Sequence, residues 1–194
     1  MKIYLIRHGE STSDVEDRYG GDYDDDLTAK GEESANQLAE KLISKKLGVI
    51  YSSPKKRALQ TAEILSKKLG AKIIIVENLR ERNNYGVLTG LTKTEAKEKY
   101  PFDVKELEEH SPNHKVKLSE LFDKFKERTV GAFNSIVNES DENIAIITHA
   151  GPLRRIIADK LDKKIKEIGA GAIIELEENK NEYKLINSAS VEFE

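Results

Sequence analysis

The chain has 194 residues, 35% of them charged and 38% hydrophobic, with a net charge of −3 and no cysteine. This length sustains one full hydrophobic core, and the charge balance offers no overall basic field for nucleic acid. The composition excludes disulfides, thiolate zinc sites and cysteine nucleophiles, and no apolar stretch is long enough to span a bilayer.

KIYLIR at 2–7 predicts a first strand that stops on Arg7, His8 and Gly9. Met1 runs straight into it without a signal-like leader, so a cytoplasmic location is expected. "GDYDDDLTAKG" follows, with Asp22, Asp24, Asp25 and Asp26. It lacks the glycine and terminal glutamate of a calcium loop, so it is expected to be a solvated acidic loop leading into a helix over 28–46 capped by Thr28. VIYS at 49–52 predicts a second strand. Pro54 then opens a helix with Ala58, Leu59, Ala62, Leu65 and Leu69 on one face, closed by Gly70.

KIIIV at 72–76 predicts a third strand. The middle, 79–138, is punctuated by Gly86, Gly90, Pro101 and Pro112, and one long helix is expected over 118–137. NIAIIT at 143–148 predicts a fourth strand, followed by a helix over 152–161. Residues 171–176 and 182–186 read as a closing hairpin. Strands separated by helices imply a mostly parallel sheet covered on both faces, and the hairpin makes it mixed. The expected architecture is an α/β, three-layer α/β/α sandwich closed by an antiparallel strand. It forms one domain over 1–194 with an irregular, helical lid insertion at about 83–140.

The polar clusters share one position. "RHGE", "SSPKKRA", "ENLRERNNYG" and "THAGPLRR" each follow a strand, and ligands of such sheets sit beyond the carboxyl ends of the strands. Arg7, His8, Arg57, Glu81 and His149 are therefore expected to share a pocket. Arginine forks match phosphate oxygens. A neutral imidazole in their field can attack phosphorus, and Glu81 can protonate the leaving alkoxide and then activate water. Arg82 can orient Glu81 or pair elsewhere, and one of Arg154 and Arg155 is expected to cap or pair with a carboxylate. His110 and His114 read as surface histidines.

These segments resemble the histidine phosphatase superfamily, in its phosphoglycerate mutase-like branch. "LIRHGEST" is similar to the segment bearing the nucleophile, which falls on His8. "SSPKKRALQTAEIL" is similar to the one with the second phosphate arginine, Arg57; "LRERNNYG" to the one with the acid, Glu81; and "IITHAGPLRRII" to the one with the second histidine, His149. The resemblance implies a phosphohistidine intermediate, no metal and no cofactor. It also implies substrate contacts from Arg7, Arg57, His149, Ser11, Asp14, Tyr85, Lys93 and Ala150.

The expected enzyme is a histidine acid phosphatase-type phosphomonoesterase acting on a small phosphorylated metabolite. Neither nucleic acid nor membrane is an expected partner, and monomer and homodimer are both open. The alternative is a phosphoglycerate mutase, to which Tyr85 and Lys93 point. Against it, Ser13 and Asp14 stand where mutases carry tryptophan and asparagine, and 102–121 contains no arginine. A third reading is a catalytically silent phosphate-binding module.

Overall fold

A computed structural model describes residues 1–109 and 114–194; His110 and Pro112 lie outside the described residues. Six strands form one sheet in the order β3-β2-β4-β1-β5-β6. They are β1 (Lys2–Arg7), β2 (Val49–Ser52), β3 (Lys72–Ile75), β4 (Ile144–Thr148), β5 (Ile165–Asn179) and β6 (Glu182–Phe193). The first four are parallel, β5 runs antiparallel to β1, and β6 antiparallel to β5. Among the described residues no helix is long and apolar enough to cross a membrane.

Strand side chains alternate between the two faces, and both faces are covered. Ile3, Leu5, Ile144 and Ile146 pack with Phe133 and Ile136 of α6 (Phe122–Asn138) and with Leu153, Ile156 and Ile157 of α7 (Ala150–Leu161). Tyr4, Ile6, Ala145 and Ile147 pack with Leu38 and Leu42 of α2 (Ala29–Leu42) and with Ala62 and Leu65 of α3 (Lys56–Leu69). This is the three-layer sandwich that the alternation predicts. Thr28 caps α2 by accepting from the Gly31 N–H (3.0 Å). Gly70 closes α3 at φ +70, a left-handed conformation open to glycine.

The sequence expectation fails in three places, each for a tertiary reason. First, the long helix begins at Phe122 rather than 118. Leu118 has φ +66, and the chain around it is pinned to the Asn83–Val87 turn. Val87 N donates to Lys117 O (2.9 Å), and Glu120 N donates to Asn83 O (2.7 Å). Upstream, Thr92 and Glu95 form a capping box that starts α4 (Lys93–Lys99), and α5 (Pro101–Glu108) follows. These helices close a small second core of Tyr19, Leu88, Ala96, Val104 and Val116.

Second, the closing hairpin is far longer than 171–176 and 182–186. Its turn residues Lys180 and Asn181 both have positive φ between the paired Asn179 and Glu182, a two-residue turn that matches strand twist. The register slips between Ile168 and Ile173. That bulge breaks the alternation by which a strand is read.

Third, the acidic loop is not solvated as a whole. Asp25 is 4% exposed. Its carboxylate takes the Arg57 guanidinium at 2.5 Å and accepts from Ser13 N at 2.9 Å. Asp22 pairs with Lys55 (3.0 Å), and Asp24 accepts from Lys56 N (2.8 Å). The acids clamp the start of α3, where its dipole favours negative charge.

Candidate active site

The main chain at His8 is held at both ends. Its N–H donates to Thr148 O of β4 (3.0 Å), and its carbonyl accepts from Gly171 N in the β5 bulge (2.9 Å). Gly9 comes so close to α2 that a Cβ there would meet Gly31 O at 2.6 Å. The turn after β1 therefore requires glycine.

Side-chain hydrogen bonds then fix the His8 ring. Nδ1 lies 2.7 Å from Gly9 O, an acceptor only, so Nδ1 carries the proton and Nε2 the lone pair. Arg57 Nε donates to that Nε2 at 3.1 Å. The His8 ring is 4% exposed. Burial first, then the charges of Arg57 and Arg7, hold its pKa well below the ordinary 6.5, and the ring is neutral at pH 7.

The His149 ring lies edge-on to His8, 4.9 Å between centroids. Its Nε2 is 2.8 Å from Ser53 Oγ, which also accepts from Lys55 N (3.3 Å). With Ser53 donating its hydroxyl proton to Nε2, Nδ1 keeps the ring proton. That Nδ1 is buried and has no hydrogen-bond partner among the described residues. Burial first, then Arg57, His8 and Arg7, hold the His149 pKa down as well.

Both arginines are tethered. Arg57 NH1 reaches Tyr23 O (2.5 Å) as well as Asp25, and NH2 reaches Gly21 O (2.9 Å). Arg7 NH1 donates to Ile168 O in the β5 bulge (2.8 Å), and NH2 lies 3.3 Å from Asp14 Oδ1.

Glu81 approaches from the turn after β3. Oε1 accepts from Arg82 N (2.7 Å) and Oε2 from Gly151 N at the start of α7 (2.9 Å). Burial raises its pKa, although both N–H groups and the charges of Arg57 and Arg7 oppose the rise. Desolvation outweighs them, and a proton is held more readily than by a free carboxylic acid. Gly151 makes the approach possible, because a Cβ there would clash with Glu81 Oε1.

The structure thus gathers Arg7, His8, Arg57, Glu81 and His149 as the sequence pattern predicts. Of these five, Glu81 also faces a cavity beside them that Ala150 and Tyr85 border. With Glu81, Phe122, Phe125 and Arg155 they line this cavity of about 480 Å³. Ser11 and Asp14 are bound to each other, Ser11 N to Asp14 Oδ2 at 3.0 Å, with Asp14 turned to Arg7.

Lys93 is placed apart. Its Nζ sits 3.5 Å from the Tyr19 ring centroid in a neighbouring cavity that shares Asn84 and Tyr85 with the first. His114 is not a free surface histidine but bonds Asp103 (2.9 Å). Arg82 serves Glu81 through its backbone, while its guanidinium donates to Glu120 O (2.9 and 3.1 Å). Arg154 and Arg155 pair with no carboxylate among the described residues. Ser53 and Asp25 escape sequence reading, since their partners lie 96 and 32 residues away. Among the described residues, no group of three or more His, Asp or Glu could hold a metal ion.

Comparison with known proteins gives one consistent outcome. The family model of the histidine phosphatase superfamily (branch 1) matches residues 3–188. Phosphoserine phosphatase 1 of Hydrogenobacter thermophilus is 28% identical over 191 residues, 93% of this chain and 89% of its own. Phosphoglycerate mutase-like protein 4 of Arabidopsis thaliana is 31% identical over 159 residues, 80% of this chain and 69% of its own. The solved structure of Bacillus stearothermophilus YhfR superposes with a TM-score of 0.80 at 28% identity, covering 95% of this chain and 94% of its own.

Proposed function

The chain belongs to the histidine phosphatase superfamily, and on that premise we propose that it is a phosphomonoester hydrolase acting on a small phosphorylated metabolite through a covalent phosphohistidine. The observation that carries this is the state of His8: neutral, with its Nδ1 proton on Gly9 O and its Nε2 lone pair turned toward Arg57.

His8 Nε2 attacks phosphorus; the P–N bond forms as the P–O ester bond breaks. Arg7, Arg57 and the Nδ1–H of His149 draw charge from the equatorial oxygens. Protonated Glu81 gives its proton to the departing alkoxide. Water then attacks phosphorus and passes a proton to Glu81, and the P–N bond breaks with its electron pair returning to Nε2. No metal or cofactor enters this scheme, which is that of a histidine acid phosphatase-type phosphomonoesterase.

The segment at about 83–140 serves as a lid on a single 1–194 domain, with Tyr85 and Phe122 facing the leaving group. A cytoplasmic location fits a small-metabolite substrate. The Hydrogenobacter relative is a phosphoserine phosphatase, which makes amino-acid and hydroxy-acid phosphates the first substrates to try.

Rapid alkaline quench during turnover of a ³²P-labelled monoester tests the scheme. A base-stable, acid-labile adduct on His8, absent from His8→Ala, is expected; turnover without that adduct would overturn it. The mutase alternative takes support from the name of the Arabidopsis relative. It predicts isomerised phosphoglycerate, dependent on a bisphosphate, in place of inorganic phosphate. A silent module would release nothing from an aryl phosphate.

A further inference from the structure

Arg155 stands apart from the other arginines. Arg7 and Arg57 are tied to Asp14 and Asp25, Arg128 to Glu120, Arg18 to Glu16 and Glu95, and Arg80 to Glu77. Arg82 donates to Glu120 O. Arg155 has neither hydrogen bond nor ion pair among the described residues, and its Nε is buried. Asp159, one turn further along α7, pairs with Lys160 instead (3.3 Å). Its neighbour Arg154 makes, among the described residues, two 3.4 Å bonds, to the carbonyls of Ile165 and Lys166.

Both guanidinium-bearing residues line the cavity that holds Glu81, together with Phe122, Phe125 and Tyr85. A buried donor is normally paired, yet the Arg155 Nε is not, while the residue as a whole is half-buried and Arg154 is exposed. An unpaired Arg155 in such a space is an anion receptor, with a fork that fits carboxylate or phosphate.

Gly151 and Arg155 are four apart on α7 and share a face, and helical side chains lean toward the helix N-terminus. The Gly151 N–H holds Glu81, and Glu81 and Arg155 line one cavity, so the leaving group that Glu81 protonates shares its space with Arg155.

We propose that Arg155, with Arg154 beside it, forms a specificity-determining subsite for a second anionic group, carboxylate or phosphate, borne by the leaving group. The proposal deepens the phosphatase reading, on which it rests.

Calorimetric binding to the non-turnover His8→Ala protein separates the two claims, because it reads recognition without chemistry. 3-Phosphoglycerate is expected to bind at least tenfold tighter than glycerol 1-phosphate, which lacks only the carboxylate. Adding Arg155→Met should reduce that preference below threefold, and Arg155→Lys should leave an intermediate value; the Lys variant alone decides if the Met variant fails to fold. Glycerol 1,3-bisphosphate against glycerol 1-phosphate is the second arm. A preference confined to this pair, and lost in Arg155→Met, assigns the subsite to phosphate. No preference in either pair, or one that survives Arg155→Met, overturns the proposal. Release of phosphate from an aryl phosphate by the wild-type chain is measured separately, and its failure would sink the phosphatase reading while leaving the binding result intact.

Discussion

Arg57 Nε donates to His8 Nε2 across 3.1 Å, so a cation occupies the one lone pair from which phosphorus can be attacked. Burial first, with the Arg57 charge, keeps the imidazole neutral, and the same contact blocks it. An incoming phosphoryl group approaches along that direction, and the Arg57 N–H is then expected to move from nitrogen to a phosphoryl oxygen. In a vanadate or phosphate complex, the Arg57–His8 separation should open beyond hydrogen-bond distance while the Asp25 contact persists. Arg57→Ala should lower kcat/KM by about 10²–10³, the usual effect of losing one charge-stabilising donor. A crystal structure of the complex that keeps the 3.1 Å contact would contradict this sequence of contacts.

Asp25 is the counterweight. Burial pushes its carboxyl up, but the Arg57 charge and the Ser13 and Ser11 donors override burial and hold the pKa below the ordinary 3.8. Since the folded value is depressed, the stabilisation is complete above the unfolded value near 3.8 and disappears as pH falls through the folded one. Asp25→Asn strands a buried guanidinium and should destabilise the protein by roughly 3–5 kcal/mol at pH 7. Its thermal midpoint should also vary less than that of the wild type below about pH 4. Parallel melting curves from pH 7 to 2 check both. Equal slopes for the two proteins would remove Asp25 as a source of acid lability.

Glu81 and His8 set opposite limbs of the rate profile. His8 must be neutral, and its depressed pKa puts the acid limb well below pH 6.5. Glu81 must be protonated to act first, and its raised pKa puts the basic limb above pH 4.5. Glu81→Gln should abolish the basic limb. It should also slow phosphorylation of His8 by alkyl phosphates by about 10²–10⁴, with far less loss in the p-nitrophenol burst from p-nitrophenyl phosphate, whose leaving group needs no proton. A basic limb that survives in Glu81→Gln belongs to some other group.

How much of this was readable in the chain depends on where each partner lies. The strands KIYLIR, VIYS and NIAIIT are apolar runs buried on both faces, and their carboxyl ends carry Arg7, Ser53 and His149 by sequence alone. Topology then does the rest, because parallel strands send their following turns to the same edge. Asp25 was expected in water because it stands in a run of acids with no basic residue beside it; its partner Arg57 is 32 residues away. The β5 bulge was hidden for a related reason. Its Ile168 carbonyl and Gly171 N–H matter only because Arg7 and His8 arrive there. Lys93 stands over the Tyr19 ring and 5.9 Å from the Tyr85 ring centroid, a grouping across 19–93 that no local pattern displays.

Gly151 offers a test of the acid that leaves its carboxyl chemistry unchanged. Its N–H holds Glu81 Oε2 at 2.9 Å, and a Cβ would strike Oε1. Within a helix, alanine in place of glycine is favourable by up to about 1 kcal/mol, so Gly151→Ala should fold at least as well as the wild type. Glu81 must nevertheless swing away from the α7 N-terminus. The expected result is a fall of about 10–10² in the rate of His8 phosphorylation by alkyl phosphates, with little change in the p-nitrophenol burst from p-nitrophenyl phosphate, since only the poor leaving group needs the proton delivered in line. If the effect passes through Glu81, it disappears once the acid is gone, because residues acting as a unit are not additive. The double variant Gly151→Ala/Glu81→Gln should then be no slower than Glu81→Gln alone. Losses that multiply in the double variant would show that Gly151 acts on the site by some route other than this carboxyl.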